Sequence, residues 1–182
     1  MEKTLVIVKP DATQRGLIGE ILSRFEKAGL KLIATKMVTP SKDLANKHYP
    51  IDREEFIRGM GHKTLENHQE ENKDVSEIFG TEDPHKIGLQ LQRWLVDFLV
   101  SGRVVAIVLE GENAIKKARD IAGHTVPAKA DTGTIRGDHS DDSAVRANAE
   151  KRAIMNLVHA SGDKAEADFE INLWFTADEL QE

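Results

Sequence analysis

The chain of 182 residues contains no cysteine. Disulfide bonds, thiolate nucleophiles and cysteine-ligated zinc or iron–sulfur centres are therefore excluded. Without disulfides we expect a cytoplasmic location. Because Met1 leads directly into a strand-like segment, we also expect no signal peptide. No apolar run approaches the length that crosses a bilayer, so we expect no membrane partner.

Aromatic residues make up only 5% of the chain, and the formal net charge is -6. RNA-binding modules stack bases on aromatic side chains carried by a strand, and this sequence has no such aromatic strand motif. An acidic protein also lacks the excess of cations that neutralises nucleic-acid phosphates. We therefore expect no nucleic-acid partner, although a few cations that converge in one cleft can still bind a smaller anion.

The common phosphate-binding loops are missing as well. Neither GxxxxGK[ST] nor a GxGxxG that follows a strand and opens a helix occurs. The segment from Gly59 to Thr64 looks similar to such a loop, but its spacing fits neither pattern. A phosphate site in this chain would have to be assembled from separate side chains.

Hydrophobic periodicity predicts alternating strands and helices. Strands are expected at 4–9, 31–38, 103–109 and 168–175, and helices at 16–29, 41–49, 87–102 and 113–123. Residues 51–85 are highly charged and predict one or two solvated inserted helices, docked through Phe56, Ile57, Val75, Ile78 and Phe79. Residues 124–138 are loop-like, and 143–158 are weakly helical. This order predicts an α/β (α+β) fold: a ferredoxin-like sandwich with a four-stranded antiparallel sheet, helices covering one face, and inserted helices.

A histidine close to the last predicted strand is the first candidate for chemistry. His159 precedes a small polar turn, and the alternating segment 168–175 carries Glu170 on the face opposite Phe169, Ile171 and Leu173. A histidine held by a carboxylate keeps one tautomer and can act as base or nucleophile. A lone histidine beside a loop is more often structural, so this pair needs support from elsewhere in the chain.

Cations at the ends of predicted elements provide that support. Lys9 closes the first strand, Arg119 lies in the helix after the third strand, and Thr125 and Arg136 lie in the loop beyond it. Two guanidinium groups and an ammonium group brought together would bind a polyphosphate. The alternative is ordinary surface charge, which is the usual state of any single lysine or arginine.

Six short motifs, in this order, resemble the nucleoside diphosphate kinase family. They are Lys9-Pro10-Asp11, Gln14-Arg15-Gly16-Leu17, His48-Tyr49, Thr134-Ile135-Arg136-Gly137-Asp138, Asn156-x-x-His159-x-Ser161 and Glu170-Ile171-x-Leu173-Trp174-Phe175. The resemblance implies one domain over residues 1–182, with insertions at about 50–85 and 139–153. It implies a phosphotransferase that moves the terminal phosphoryl group from a nucleoside triphosphate to a nucleoside diphosphate by a ping-pong mechanism.

The same resemblance implies a role for each catalytic residue. His159 would become the phosphohistidine, Glu170 would hold its other ring nitrogen, and Ser161 would support Glu170. Lys9 and Tyr49 match positions that contact the transferred phosphoryl group and the histidine. Neutralising the charge of the transferred group is the main task of a protein in phosphoryl transfer.

Substrate contacts are implied in the same way. Arg119, Thr125 and Arg136 match residues around the nucleotide phosphates, and Asn156, with Lys9, matches contacts to the sugar hydroxyls. Mg²⁺ would be carried by the nucleotide phosphates, so no metal site on the protein is expected. The implied partners are nucleoside tri- and diphosphates and further copies of this chain in a homo-oligomer.

Two points stay open at this level. Phe56 is a candidate for the aromatic residue that stacks on the base, but the insertion beside it makes the alignment ambiguous. A non-enzymatic binding module with the same fold is the competing function. The retention of all the charged site residues argues against that module, because buried charges are costly to keep without purpose.

Overall fold

The sheet of this protein has four antiparallel strands, as the sequence predicts. In the computed structural model, which describes residues 1–180, the strands are β1 (Glu2–Val8), β2 (Lys31–Val38), β3 (Val104–Gly111) and β4 (Val158–Ala160). Their spatial order is β2-β3-β1-β4, and every neighbouring pair is antiparallel. This arrangement confirms the ferredoxin-like α+β class and places β4 at the edge of the sheet, beside β1.

Helices fill the connections between the strands. Over residues 1–180 they are α1 (Pro10–Gln14), α2 (Ile18–Lys27), α3 (Lys42–His48), α4 (Glu54–Glu70), α5 (Ser76–Phe79), α6 (Pro84–Leu99), α7 (Ala114–Ala122), α8 (Ile135–His139), α9 (Ala144–Ala149) and α10 (Lys164–Trp174), with 3-10 turns at Pro127–Lys129 and Asp178–Leu180. The expected loop 124–138 therefore contains a 3-10 turn and most of α8. No helix of the described residues is long and apolar enough to span a membrane.

Helices cover both faces of the sheet, so the expectation of one covered face is wrong. Successive side chains of a strand point to opposite faces. Val6 and Val8 of β1 pack in one core with Phe25, whereas Leu5 and Ile7 pack in a second core. The continuous apolar runs of β1 and β3 are typical of strands buried on both sides.

The expected fourth strand at 168–175 is also wrong, because this segment lies in α10. Asp163 caps the helix by accepting a hydrogen bond from the Glu166 N–H at 2.9 Å. The buried residues Ala167, Glu170, Ile171 and Trp174 recur at helical spacing, whereas Phe169 is 53% exposed. The order of apolar and polar residues in this segment is compatible with the period of a strand and with that of a helix. The aspartate cap indicates the helix. The actual fourth strand, β4, is the short segment around His159.

The charged segment 51–85 is helical, as predicted. It forms α4 and α5, and α6 begins at its end. Val75, Phe79 and Ile87 make a small core of their own, against which Ile78 packs. Of the expected docking residues, Phe56 packs against the core on one face of the main sheet.

The helices α4 and α6 cross closely, and glycine permits the crossing. A Cβ at Gly88 would lie 2.0 Å from the carbonyl oxygen of Ile57, and one at Gly61 would lie 1.9 Å from that of Pro84.

Because backbone atoms cannot move aside as a side chain can, Gly88→Ala should lower the free energy of unfolding by about 3 kcal/mol. Gly59→Ala, in the same α4, meets no atom within 4 Å and should raise it by about 0.5–1 kcal/mol. Urea unfolding measures both, and equal effects would contradict the close crossing.

Candidate active site

His159 lies in the middle of β4 and faces Ile7 of β1 across the strand pair. Leu157, immediately before β4, has a φ of 69°, a left-handed conformation that costs a leucine about 1 kcal/mol or more. The Leu157 N–H donates to the Asp11 carboxylate at 3.0 Å, and its carbonyl oxygen accepts from the Lys9 N–H at 2.8 Å. These two bonds join the strained turn to the end of β1 and so fix the point at which β4, the strand of His159, begins.

A short series of hydrogen bonds orients the His159 ring. Its Nε2 lies 2.8 Å from Glu170 Oε1, and the Ser161 hydroxyl donates to Glu170 Oε2 at 2.6 Å. Burial raises the pKa of Glu170, but the charge of His159 and hydrogen bonds from His159 and Ser161 outweigh burial and bring this pKa down to about 2. The carboxylate is therefore ionised and can only accept, so Nε2 carries the proton and Nδ1 keeps its lone pair. A neutral imidazole with one free nitrogen is a competent nucleophile.

Lys9 follows β1 and is 5% exposed. Its Nζ donates to Asn156 Oδ1 at 2.7 Å. Burial, and then the positive charge of Arg136, lower the pKa of Lys9 from 10.5 to about 8, although Asp11 acts in the opposite direction. Lys9 is thus a buried cation below about pH 8, and no carboxylate of residues 1–180 is among its hydrogen-bond partners.

Arg136 joins three backbone segments around the same point. Its Nε donates to the Asn156 carbonyl oxygen at 3.0 Å, Nη1 to that of Gly123 at 2.6 Å, and Nη2 to that of Val158 at 2.7 Å. Burial, followed by repulsion from Arg119, lowers its pKa to about 10. Since a guanidinium group has five N–H bonds, two remain for another acceptor. Arg136 therefore both holds the loops and adds positive charge to the site.

The other two substrate-contact candidates lie around this centre. The Thr125 carbonyl oxygen accepts from Asn156 Nδ2 at 2.8 Å, which joins Thr125 to the Lys9 and Arg136 contacts. Arg119 is exposed on α7, and its Nη1 would lie 3.5 Å from a Cβ placed on Gly162, just beyond β4. The structure therefore brings together the residues that the sequence scatters, with Arg119 at the margin.

His48, the neighbour of Tyr49, also belongs to this centre, although the sequence predicts a role for Tyr49 only. The His48 ring is edge-on to the His159 ring, with centroids 4.5 Å apart, and it also contacts Tyr49 at 4.6 Å. The Trp174 indole N–H donates to His48 Nδ1 at 3.4 Å. Burial, and then the His159 charge, lower the pKa of His48 to about 3, so it is neutral near pH 7. Its place beside Tyr49 in the sequence was the only available signal.

One group of potential metal ligands occurs within residues 1–180. His48, His159 and Glu170 each offer a ligand atom, and these atoms lie within 4.8 Å of one another. Two imidazoles and one carboxylate do not suit Mg²⁺, which prefers oxygen ligands in octahedral geometry. The three residues therefore do not fit a resident magnesium ion.

A cavity of about 400 Å³ adjoins this centre. Thr125 and Asn156 line it, and its other walls include Met60 of α4, Asn148 of α9 and Ala153. This volume is within the range of small-molecule pockets. The cavity therefore extends from the polar centre toward the two segments that the sequence marked as insertions.

Phe56, the candidate for the stacking aromatic residue, is not part of the cavity wall as described. Its ring is parallel to that of Tyr49, with centroids 6.5 Å apart, and the Arg53 guanidinium lies 5.9 Å from its centroid. Met60, one helical turn further along α4, does line the cavity. Stacking of a base on Phe56 stays a prediction.

Comparison with known families and proteins agrees with this geometry. A family model described as nucleoside diphosphate kinase matches residues 2–62 and 69–180. A protein from Pyrobaculum aerophilum named nucleoside diphosphate kinase is 47% identical over 182 residues, which are 100% of this chain and 99% of that protein. A protein of the same name from a strain of Prochlorococcus marinus is 41% identical over 99% of this chain and 90% of its own length.

Two solved structures are similar to the chain over its full length. The crystal structure of an NDP kinase from Pyrobaculum aerophilum has a TM-score of 0.95 at 46% identity and is covered to 99%. A transition-state mimic of nucleoside-diphosphate kinase from Borrelia burgdorferi, with bound vanadate and ADP, has a TM-score of 0.78 at 35% identity and is covered to 90%. Sequence and fold thus point to the same group of enzymes.

Proposed function

This chain belongs to the nucleoside diphosphate kinase family, and on that premise we propose that it moves the terminal phosphoryl group of a nucleoside triphosphate to a nucleoside diphosphate through a phosphohistidine on His159. The observation that carries the proposal is the ring orientation: Glu170 holds Nε2 at 2.8 Å, which leaves Nδ1 as the only ring nitrogen with a free lone pair. The reaction is a ping-pong exchange in two steps.

In the first step the Nδ1 lone pair of His159 attacks the γ-phosphorus. A nitrogen–phosphorus bond forms while the bond from the γ-phosphorus to the bridging oxygen breaks, and the diphosphate leaves with that oxygen. The Nε2 proton stays on the ring, where Glu170 stabilises the positive charge that the ring acquires. A terminal oxygen of a second nucleoside diphosphate then attacks the phosphorus, the nitrogen–phosphorus bond breaks, and its electron pair returns to Nδ1, which restores neutral His159. Ser161 acts through Glu170 as a positioning residue.

Positive charge around His159 stabilises the transition state. During transfer, the phosphoryl group carries its negative charge on its peripheral oxygens, and preorganised cations stabilise that charge in a site from which water is excluded. We assign this role to Lys9, Arg119 and Arg136, and a contact to the phosphoryl group to Tyr49. The neutral His48 ring packs edge-on against the His159 ring and adds no positive charge that would compete for Glu170.

The nucleoside part of the substrate would occupy the adjoining cavity. Thr125 is assigned to the phosphates, and Asn156, with Lys9, to the sugar hydroxyls. Because the protein ligands do not suit Mg²⁺, we assign this ion to the nucleotide phosphates, where it neutralises charge as part of the substrate. One domain over residues 1–182, a homo-oligomeric assembly and a cytoplasmic location complete the proposal, the last supported by the absence of cysteine.

Two-substrate kinetics test the proposed route. With ATP and GDP varied together, double-reciprocal plots should be parallel, because ADP leaves before GDP binds. Intersecting lines would instead indicate direct transfer between two bound nucleotides. Binding of both nucleotides with no transfer at all would favour the competing binding module.

A further inference from the structure

The family model leaves residues 63–68 unmatched, and these residues form part of the cavity wall. They belong to the second half of α4. Lys63, Thr64, Glu66 and Asn67 all line the same cavity as Thr125 and Asn156. The part of α4 that departs from the family pattern therefore faces the space that we assign to the nucleoside.

Polar contacts hold this wall in place. The ring of His68, which is 1% exposed, lies with Nε2 3.2 Å from the side-chain amide nitrogen of Asn148, which is 2% exposed. On the cavity side, Lys129 donates to Asn67 Oδ1 at 2.7 Å and pairs with Glu70. α4 is thereby joined both to α9, in the second inserted segment, and to the loop that carries Thr125. A wall fixed at two points can present its polar groups in a defined geometry.

The charges decide which end of a nucleotide this wall meets. Lys9 and Arg136 converge at the end of the cavity near Asn156 and would hold the phosphates there. The α4 wall carries Lys63 as well as Glu66, and its second carboxylate, Glu70, is paired with Lys129, so this wall has no excess of positive charge for the phosphates. A nucleotide bound by its phosphates at the cationic end would therefore extend its base toward α4.

The chemistry of the wall favours particular bases. Glu70 is already paired with Lys129, whereas Glu66 lines the cavity as an exposed carboxylate. A carboxylate accepts hydrogen bonds and cannot donate them. It therefore suits the exocyclic amino group of cytosine, adenine or guanine, and it repels the carbonyl oxygen that uracil presents at the position of the cytosine amino group.

We propose that residues 63–68 form a base-edge wall in which Glu66 accepts a hydrogen bond from an exocyclic amino group, so that this enzyme prefers amino-bearing nucleobases to uracil. The inference rests on the proposed function, because it places the base by the proposed phosphate site. It adds hydrogen-bond discrimination to a site whose phosphate and sugar contacts are the same for every base.

The isosteric pair CDP and UDP gives the most direct test. Starting from the phosphorylated enzyme, we expect kcat/KM for CDP to exceed that for UDP about tenfold, because one hydrogen bond to an exposed charged group contributes about this factor. In Glu66→Ala the ratio should fall to about one. In the control Glu71→Ala, at the exposed end of α4 and away from the cavity, the tenfold ratio should persist.

A base-free acceptor separates this inference from the proposed function. Ribose 5-diphosphate should be phosphorylated equally fast by the parent and by Glu66→Ala, because it has no base for the wall to contact. A CDP/UDP ratio below twofold in the parent, or a tenfold ratio that survives Glu66→Ala, would overturn the base-edge wall. Failure to phosphorylate any acceptor, ribose 5-diphosphate included, would overturn the proposed function itself.

Discussion

Replacement of His159 by alanine is expected to abolish formation of the phosphoenzyme and to lower phosphoryl transfer by about 10⁴-fold or more. Loss of a covalent nucleophile has effects of this order or larger in other enzymes. In the parent, labelling with γ-labelled ATP should give a protein-bound phosphate that is stable to base and labile to acid, as a phosphoramidate is. Any nucleoside diphosphate should then remove the label.

The control for this experiment is His62→Ala, because His62 is an exposed histidine on α4. It should label like the parent and show the same transfer rate. The neighbouring ring matters too: His48 is buried and neutral, so it should not accept the phosphoryl group when His159 is absent. Labelling of His159→Ala to the level of the parent would refute the assignment of the nucleophile.

Replacement of Lys9 by methionine should lower kcat/KM by about 10²–10³-fold, the usual cost of removing one preorganised electrostatic group.

The lowered pKa of Lys9 also predicts that activity falls at alkaline pH. Its pKa is lowered to about 8, mainly by burial, so the ammonium is charged below pH 8 and neutral above it. As the pH rises through about 8, kcat/KM should therefore fall, approaching tenfold per pH unit.

The pH profile of kcat/KM is the correct measurement, because it reports the pKa values of the free enzyme. Bound phosphates would favour the charged form of Lys9 and would shift the alkaline fall in kcat to higher pH. In Lys9→Arg the alkaline fall should disappear, because arginine stays protonated, even if the rate is lower overall. Persistence of the same fall in Lys9→Arg would assign it to another group. Lys116→Met, at an exposed lysine on α7, should leave the profile unchanged.

Local patterns predicted much of the fold correctly. The first three strands, the helix at 41–49 and the inserted helices all lie where expected. Each of these rests on side-chain periodicity or on a cap within a few residues. The error at 168–175 arose because apolar and polar residues alternate there, whereas the local sign of a helix, the Asp163 cap, lies before that segment.

The site residues followed from order in the sequence, but their roles depend on distance. The sequence predicts Glu170 in a strand, but it lies in a helix. It is nevertheless 2.8 Å from His159, because that helix, α10, packs against β1. Nothing local in the sequence distinguishes His48, a buried histidine beside His159, from a histidine in solvent.

The sequence by itself determined the fold class and the set of chemical groups at the active centre, because both are encoded in short-range patterns and in the identity of the residues. Only the tertiary structure decided which nitrogen of His159 is free, why Lys9 has a lowered pKa, and that the unmatched part of α4 faces the cavity that Asn156 lines. The physical reason is that hydrogen-bond direction, desolvation and cavity shape arise from residues distant in the chain, such as Lys9 and Asn156, which come within 2.7 Å only in the folded protein.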